Sequence, residues 1–211
     1  MTTSLFPATP SVNILPKDGT VFYFGPTVPG PDEAIVFNSL LNEIPWVNDS
    51  VRLFGKTIIT NRKVAWFADN DIPYSYSGTT KQAQPWSPLL LGLKQHVEAL
   101  ACTRFNSCLL NYYLDGTQGM SWHSDDEKSL QPHGTIASLS FGAARKFRFR
   151  HKHDGTSVAL LLEPGSLLVM TGVTQTFWLH SLPKSKGIHS SRINLTFRQM
   201  LPTSPIVSAP A

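Results

Sequence analysis

The sequence predicts a mainly β protein, an antiparallel sandwich or jelly roll in one domain. From residue 106 onward, seven short runs rich in β-branched, aromatic and aliphatic residues alternate with Gly, Pro and Asp turn signals. The 16 prolines and 14 glycines of the chain favour many turns and short strands over a helical bundle. Few helical stretches separate the runs, so consecutive strands are expected to pair antiparallel.

The N-terminal half is predicted to be more varied than the strand-rich half. Residues 1–19 are rich in Ser, Thr, Pro and Asn, and predict a flexible arm. One amphipathic helix is expected to start at Pro31 and a second to span residues 88–100, because proline is favoured in a first helical turn. Two pieces within residues 51–80, VRLFGKTII and RKVAWFAD, predict a hairpin outside the main sheets.

The strand region forms the rest of the predicted domain. Its seven runs are SCLLNYY, GTIASLSFG, RKFRFRH, SVALLLEPG, SLLVMTG, TQTFWLHSLP and SRINLTFRQM. Together they place a jelly-roll core at about residues 104–200, within a single domain over residues 20–200. Residues 201–211, which are rich in Pro and Ser, predict a disordered tail.

Composition limits the class of protein. With 41% hydrophobic and 15% charged residues, the 211-residue chain is expected to be globular rather than disordered. No apolar run approaches the roughly 20 residues of a membrane span, and no signal-peptide pattern opens the chain. The only two cysteines, Cys102 and Cys108, are too few for a disulfide framework. These observations predict an intracellular protein that does not associate with membranes.

The formal net charge of +4 is unevenly distributed. Residues 1–130 hold 9 basic and 12 acidic residues, a balance of −3. Residues 131–211 hold 9 basic and 2 acidic residues, a balance of +7. This asymmetry favours a polyanionic partner for one face of the C-terminal half, although many basic proteins bind no polyanion.

The motif WHSDDE offers a possible metal site. His123 and Asp125 are two residues apart, so on an extended segment both side chains project to one side. His180, late in another predicted strand, could supply a third ligand. Two histidines and one carboxylate leave three coordination positions open, as in non-haem Fe(II) oxygenases. The alternative is a solvated acidic turn with an unrelated core histidine, which a lone H-x-D motif favours.

The strand RINLTFR is expected to place four polar side chains on one face. They are Arg192, Asn194, Thr196 and Arg198. If this strand is central, two guanidinium groups are buried and need anionic partners, which a small dicarboxylate would supply. Asn111 and Tyr113 could add neutral hydrogen bonds. The alternative is an edge strand with its polar face in water.

The segment RKFRFRHKHD places four cations on one strand face. They are Lys146, Arg148, Arg150 and Lys152. Such a row is typical of an electrostatic track for phosphates. The alternatives are a solubilising surface or an edge strand protected from aggregation by its charge.

Taken together, His123, Asp125, the distal His180 and the R-x-N-x-T-F-R strand resemble the AlkB family of Fe(II)/2-oxoglutarate dioxygenases. WHSDDE and ASLSFGAARKFRFRHK resemble especially the branch that holds two human nucleic-acid-repair homologues. The resemblance covers nearly all of residues 50–200; each motif is weak by itself, but their order and spacing are specific. It implies a double-stranded β-helix with N-terminal helices and a nucleotide-recognition hairpin region at about residues 50–80.

The resemblance assigns roles residue by residue. It implies His123, Asp125 and His180 as catalytic iron ligands. Six residues would bind 2-oxoglutarate, the two arginines through its carboxylates: Asn111, Tyr113, Arg192, Asn194, Thr196 and Arg198. Ten residues would contact the nucleic acid: Phe54, Gly55, Lys56, Arg62, Tyr74, Ser75, Tyr76, Asp126, Arg148 and Arg150.

Within the substrate set, Phe54 matches an aromatic finger of the duplex-preferring homologue, and Arg62 with Lys63 follows in the same hairpin. The segment YSYSG, residues 74–78, matches the base pocket, with Tyr76 as stacking partner. The alternatives are an ordinary apolar hairpin residue for Phe54 and strand packing for the tyrosines. WHSDDE is closer to the single-strand-preferring homologue, so the strand preference stays open.

The resemblance implies oxidative dealkylation of bases such as N1-methyladenine and N3-methylcytosine. Fe(II) would be the cofactor, with 2-oxoglutarate and O₂ as co-substrates and formaldehyde, succinate and CO₂ as products. The expected partner is alkylated DNA, single- or double-stranded, with RNA as a further candidate, and the enzyme is expected to be a monomer. The compartment would be cytoplasmic in a bacterium and nuclear in a eukaryote. The alternatives are an RNA demethylase, a protein hydroxylase or a non-catalytic nucleic-acid-binding module.

Overall fold

The computed structural model describes residues 12–201 apart from 54–55, 70–71, 73 and 77–78, and within β-structure it leaves the side chains at 51–53, 57, 74–76 and 79–81 undescribed. The helices are α1 (Gly30–Glu43), α2 (Pro88–Ala101) and α3 (Thr174–Phe177). The first strands are β1 (Thr20–Pro26), β2 (Val47–Leu53), β3 (Lys56–Ala68), β4 (Tyr74–Tyr76), β5 (Thr79–Lys81), β6 (Ser107–Tyr113) and β7 (Met120–His123). The others are β8 (Ile136–Gly142), β9 (Arg145–His151), β10 (Ser157–Leu162), β11 (Ser166–Thr171), β12 (Trp178–Leu182) and β13 (Arg192–Arg198).

Two antiparallel sheets form the body of the protein. The major sheet has seven strands in the order β1-β11-β8-β13-β6-β3-β2, and the minor sheet has four in the order β10-β9-β12-β7. Among the described residues, the strands β4 and β5 pair only with each other. This architecture confirms the prediction of a mainly β jelly roll, in which strands of alternating pattern enclose a core between two sheets.

Helices α1 and α2 cover the outer face of the major sheet. Ser87 begins α2 through a side-chain oxygen that accepts a hydrogen bond from the Leu90 backbone N–H at 3.3 Å. The apolar cluster beneath the helices includes Leu40, Leu90, Val97, Leu110, Leu139, Ile193, Leu195 and Phe197. The helices therefore bury one face of β13 and leave its opposite face for the space between the sheets. No helix in the described residues has the length and apolarity that a membrane crossing requires.

The predicted hairpin at residues 51–80 lies elsewhere than expected. Strand β3 is not outside the main sheets: its residues 63–68 pair with β6, and β2 then forms the edge of the major sheet. Val64 and Trp66 are buried on one side of β3, and Phe67 is buried on the other. Because β3 pairs with β6 and with β2, it is an interior strand of the major sheet, and both faces of this segment are covered. The first half of β3 pairs only with β2 and extends past β6.

Two further differences concern local structure. The run TQTFWLHSLP was predicted as one strand, but its first four residues form α3 and the strand begins at Trp178. Residues 12–19, assigned to the flexible arm, pack against the core where they are described. Leu15 is only 3% exposed, and the Trp178 indole N–H donates to the Lys17 carbonyl oxygen at 3.0 Å. Residues 1–11 of the arm and 202–211 of the tail lie outside the described residues.

Candidate metal centre and co-substrate pocket

The pairing of β7 with β12 brings two distant histidines together. His180 and His123 are register partners on these strands, and their ring centroids are 4.2 Å apart. Asp125 follows β7 by two residues and places one carboxylate oxygen 3.8 Å from His123 Nε2. The three ligand atoms lie within 4.8 Å of one another. The structure thus assembles all three predicted ligands at one point.

The histidines have the form that metal binding requires. His123 Nδ1 lies 2.8 Å from the Ser121 carbonyl oxygen. A carbonyl can only accept, so Nδ1 carries a proton, and Nε2 is the ring nitrogen left to face the centre. Burial of His180 lowers its imidazole pKa, and the neighbouring His123 lowers it further, to about 3. His180 is therefore neutral at physiological pH.

Asp125 is held as an ionised ligand. Burial alone would raise its pKa, but the Arg198 guanidinium, aided by the two imidazoles, lowers it to about 2. Arg198 donates to Asp125 Oδ2 through Nε at 3.2 Å and Nη2 at 2.8 Å. The Asp125 backbone N–H donates to the Gln175 side-chain oxygen at 2.9 Å. These contacts leave Oδ1 on the side of His123.

A cavity of about 60 Å³ between the sheets adjoins the three ligands. This is room for several water-sized groups. Its polar lining includes every residue that the resemblance assigns to 2-oxoglutarate: Asn111, Tyr113, Arg192, Asn194, Thr196 and Arg198. All six are buried, because β13 and β6 are interior strands of the major sheet. The alternative of an edge strand with its polar face in water is therefore excluded.

Arg192 is the most informative of these residues. It is 1% exposed, and burial lowers its pKa to about 10. Its Nη2 donates to Ser140 Oγ at 2.9 Å and to Asn194 Oδ1 at 3.1 Å, and its Nε has no hydrogen-bond partner. Within the described residues, no carboxylate pairs with it. A buried cation without a counterion is costly, so this wall fits an anionic ligand.

A second unsatisfied group faces the same cavity. The side-chain oxygen of Asn111 is buried without a hydrogen-bond partner, whereas the Asn194 amide nitrogen donates to Ser138 Oγ and the Leu139 carbonyl oxygen. The Tyr113 ring lies 5.7 Å from the Arg192 guanidinium carbon. A small carboxylate ligand could accept a hydrogen bond from Arg192 Nε. A water bound with this ligand could donate to the Asn111 side-chain oxygen. The donor set therefore fits both a facial-triad metal and a dicarboxylate.

Several predicted substrate residues lie where expected on the surface. Lys56 is exposed at the start of β3, and Arg148 and Arg150 are exposed on β9. For Tyr74, Ser75 and Tyr76 the structure places only the backbone, in β4. Phe54 and Gly55 lie outside the described residues.

Arg62 is buried. The resemblance assigns it to nucleic-acid contact, and in the structure it is 9% exposed and lines the cavity. One of its nitrogens pairs with Asp49, and the other lies 3.2 Å from Met120 Sδ. The reason is strand alternation, because β3 turns residue 62 inward and Lys63 outward. Arg62 therefore belongs to the wall of the active site.

Asp126, which the resemblance assigns to nucleic-acid contact, lies at the surface beside the site. Its side chain is 65% exposed and does not line the central cavity. It accepts a hydrogen bond from Ser124 Oγ at 3.0 Å and lies 3.9 Å from Lys152 Nζ. It borders a neighbouring depression on the other side of Asp125.

Gln175 was not predicted from the sequence. It lies in α3, 50 residues from the ligand loop that it holds, and no sequence motif marks it. Lys152 strengthens the same support by donating to the Gln175 carbonyl oxygen at 2.8 Å and to Ser124 Oγ at 3.0 Å. The two residues fix the backbone that carries Asp125.

Gln175→Leu is expected to weaken metal binding about 10- to 100-fold, as loss of an outer-shell partner does in other metal sites. The loss follows because the Asp125 N–H loses its acceptor and the ligand loop loses its orientation. Titration with Mn(II), followed by electron paramagnetic resonance, measures the affinity. Gln175→Glu keeps an acceptor oxygen and should retain more of the affinity; equal losses in both variants would contradict this role.

Comparisons with known proteins agree with this site. The family description "2OG-Fe(II) oxygenase superfamily" matches residues 28–198. Human DNA oxidative demethylase ALKBH2 is 41% identical over 179 residues, which cover 80% of this chain and 69% of the human protein. Cattle alpha-ketoglutarate-dependent dioxygenase alkB homolog 3 is 39% identical over 177 residues, covering 79% and 61%. The solved structure of OsALKBH1 matches with a TM-score of 0.60 at 16% identity, covering 88% and 98%, which supports the fold.

The fold and the metal centre define the class: the protein is an Fe(II)-dependent dioxygenase that uses 2-oxoglutarate and O₂. The similarity to the relatives over most of the chain then fixes its place within this class. The chain belongs to the AlkB family.

Proposed function

We propose that this enzyme repairs DNA by oxidative removal of alkyl groups from base nitrogens. Two observations support the proposal together: a complete metal and co-substrate pocket, and relatives named DNA oxidative demethylase at about 40% identity. The observation that carries the chemistry is Arg192, which is buried in the same cavity as the three metal ligands. Among the described residues, no carboxylate pairs with its charge. A non-catalytic binding module would have no reason to bury such a group.

We assign the residues of the cavity as follows. His123, Asp125 and His180 would hold Fe(II), which when bound activates O₂ with 2-oxoglutarate as electron donor. Arg192 would bind one carboxylate of 2-oxoglutarate. Arg198 fixes the orientation of Asp125 and brings positive charge to the same pocket for the other carboxylate. The neutral contacts would come from Asn111, Tyr113, Asn194 and Thr196.

The pocket also has to keep the reaction away from water. Its apolar wall is formed by Val64, Leu109, Met120, Phe147, Met170 and Leu182. An N-methyl group directed toward the metal against this wall would be oxidised and released as formaldehyde. The co-substrate would leave as succinate and CO₂. Methyl groups on Watson–Crick nitrogens are suitable targets, because they weaken pairing and so lower the cost of flipping the base out of the duplex.

The nucleic-acid contacts in this proposal come from the surface around the pocket. Lys56, Lys63, Arg148 and Arg150 are exposed cations that could neutralise phosphates. The segment that contains Tyr76 would receive the flipped base, and Phe54 would enter the base stack of a duplex. We further propose that a single domain over residues 20–200 acts as a monomer inside the cell.

The decisive measurement is formaldehyde release with Fe(II) and 2-oxoglutarate. The substrates are matched single-stranded and double-stranded DNA that contain N1-methyladenine or N3-methylcytosine, the corresponding RNA, and a peptide pool. Turnover of methylated DNA is expected, with stoichiometric succinate and none after chelation of the metal. Turnover of RNA alone would indicate an RNA demethylase, and turnover of peptide alone would contradict the proposal.

Phe54→Ala is expected to reduce repair of a methylated duplex more than repair of the same single strand. A stacked aromatic residue contributes about 1–3 kcal/mol to holding a base, and only the duplex needs a side chain to fill the stack. The ratio of the two kcat/KM values measures the effect. Leu53→Ala, one residue earlier in the hairpin, serves as the control. Equal losses on both substrates would remove the assigned role of Phe54.

A further inference from the structure

Trp122 and two arginines form a cluster on the outer face of the minor sheet. Arg148 and Arg150 are two residues apart on β9, where burial alternates strictly and both side chains are exposed. Their guanidinium carbons lie 5.5 Å and 4.5 Å from the centre of the Trp122 ring. Trp122 lies on β7, between two cavity-lining residues, Met120 and His123, and is partly exposed.

The cluster holds two cations ready for an anion. In the described part of the chain, neither guanidinium takes part in a hydrogen bond or an ion pair. Contact with a ring face fixes a guanidinium without using its N–H donors, and a planar fork of such donors matches a phosphate. Because the indole already restricts both side chains, an anion would lose less binding energy to ordering them.

A groove of about 220 Å³ continues from this cluster. Trp122, Arg148 and Lys184 line it, and none of its lining residues is acidic. Lys184 is exposed and lies in the loop after β12. Asp126, in the loop after β7, lies 3.9 Å from Lys152 Nζ. The two charged side chains that line the groove, Arg148 and Lys184, are therefore both cations.

The loop that carries Lys184 is rigidly held. Arg145 donates to three backbone carbonyl oxygens, those of Asp115, Gln118 and Pro183, at 3.3, 2.8 and 2.9 Å. Gly116 N–H donates to the Ile188 carbonyl oxygen at 2.8 Å. A side chain at Gly116 would lie 1.9 Å from the Ser185 carbonyl oxygen, so only glycine permits this approach. The backbone that carries Lys184 is therefore fixed near the arginine pair.

The groove adjoins the active site. Met120 and Leu182 line both the groove and the central cavity, so one wall separates the two. Strand β7, which carries Trp122, is the edge strand of the minor sheet. Strand β7 lies two strand spacings, or about 10 Å, from β9. A nucleic-acid strand in the groove would need to cross only β7 to bring a neighbouring nucleotide to the metal centre.

We propose that this groove binds the sugar-phosphate backbone of the substrate strand beside the reacting nucleotide. Arg148 and Arg150 take one phosphate on the Trp122 platform, and Lys184 takes the next. This inference rests on the proposed function and deepens it, since it places the flanking phosphates of the strand that is repaired. The arrangement also serves a single strand, because all its contacts are made to one backbone.

The test is the salt dependence of binding to a fluorescein-labelled, unmethylated 15-nucleotide single strand, followed by fluorescence anisotropy. For single strands, log K falls with log salt by about 0.7 for each neutralised phosphate. The double variant Arg148→Gln/Arg150→Gln should lower this slope by about 0.7, and Lys184→Gln by a similar amount. Trp122→Leu should weaken binding severalfold with little change of slope, because both cations remain but are no longer fixed.

The control is Arg104→Gln, whose side chain is 87% exposed beyond the helix layer, on the far side of the major sheet. Like Lys184→Gln, it removes one positive charge, and it should leave the slope unchanged. If both the double arginine variant and Lys184→Gln keep the wild-type slope, the proposed groove is wrong. The proposal is also contradicted if Arg104→Gln lowers the slope as much as these variants do. If the double variant does not fold, Lys184→Gln decides. Failure of the wild type to release formaldehyde from methylated DNA would instead contradict the proposed function, and anisotropy does not depend on that result.

Discussion

Asp125→Ala is expected to abolish succinate formation and to lower metal affinity by at least about 100-fold. Asp125 is the only carboxylate of the triad, and its loss leaves two neutral imidazoles to hold a dication. The variant should also lose about 3–5 kcal/mol of unfolding free energy, because Arg198 donates two hydrogen bonds to this buried carboxylate. Mn(II) titration, succinate analysis and urea unfolding measure the three effects.

Asp126→Ala is the matched control for this prediction. It removes the same side chain one residue along, where the carboxylate is largely exposed and does not line the cavity. It should keep the metal affinity and the unfolding free energy within about 0.5 kcal/mol of the wild type. If Asp125→Ala still binds Mn(II) as tightly as Asp126→Ala, the ligand assignment is wrong.

Arg192→Leu is expected to weaken 2-oxoglutarate binding about 30-fold or more, the usual result of truncating one partner of a buried charge pair. Its effect on the ligand-free protein should have the opposite sign or be small. Arg192 buries a charge that no described carboxylate balances, and leucine removes that cost. Thermal unfolding with and without 2-oxoglutarate separates the two effects. At about 100 times the dissociation constant, the ligand should stabilise the wild type by about 2.7 kcal/mol and the variant far less.

Arg145→Leu makes the same substitution at an equally buried arginine with a different role. Arg145 donates to three backbone carbonyl oxygens, so its loss should lower the unfolding free energy of the ligand-free protein. The stabilisation by 2-oxoglutarate should persist in this variant. If Arg192→Leu behaves like Arg145→Leu, then Arg192 has a structural role and the carboxylate site lies elsewhere.

Much of the site could be predicted because strand alternation is a local property. The spacing of His123 and Asp125, and the four polar residues of β13, follow from a side-chain period of two, whatever the neighbouring strands are. His180 was only a possible third ligand from its position late in a predicted strand, and the resemblance to the AlkB family selected it from the seven histidines. The structure then brought all these residues to one cavity.

Two placements could not be read from the sequence, for one physical reason. The resemblance gave Arg62 and Asp126 as nucleic-acid contacts without indicating how exposed each side chain is. Their actual exposure depends on which strand packs beside β3 and on how the chain leaves β7, and neither is a local property. Gln175 holds the ligand loop from 50 residues away through one hydrogen bond, which no pattern along the chain reveals.

The charge asymmetry illustrates the same limit. The sequence assigns nine basic residues to the C-terminal portion, but three of them, Arg145, Arg192 and Arg198, are buried and perform separate tasks inside the protein. The surface available for phosphates is correspondingly smaller and is concentrated on β9 and the loop after β12.

By itself the sequence determined the jelly-roll class, the two long helices, the identity of the metal ligands and the polar face of β13. These depend on residue type and spacing along one segment, except for His180, which the resemblance to the AlkB family selected. Only the tertiary structure decided that β3 is an interior strand, that Arg62 faces the cavity, and that Trp122 lies beside Arg148 and Arg150. These depend on pairing between distant strands, where burial against the rest of the fold determines which face of each segment meets water.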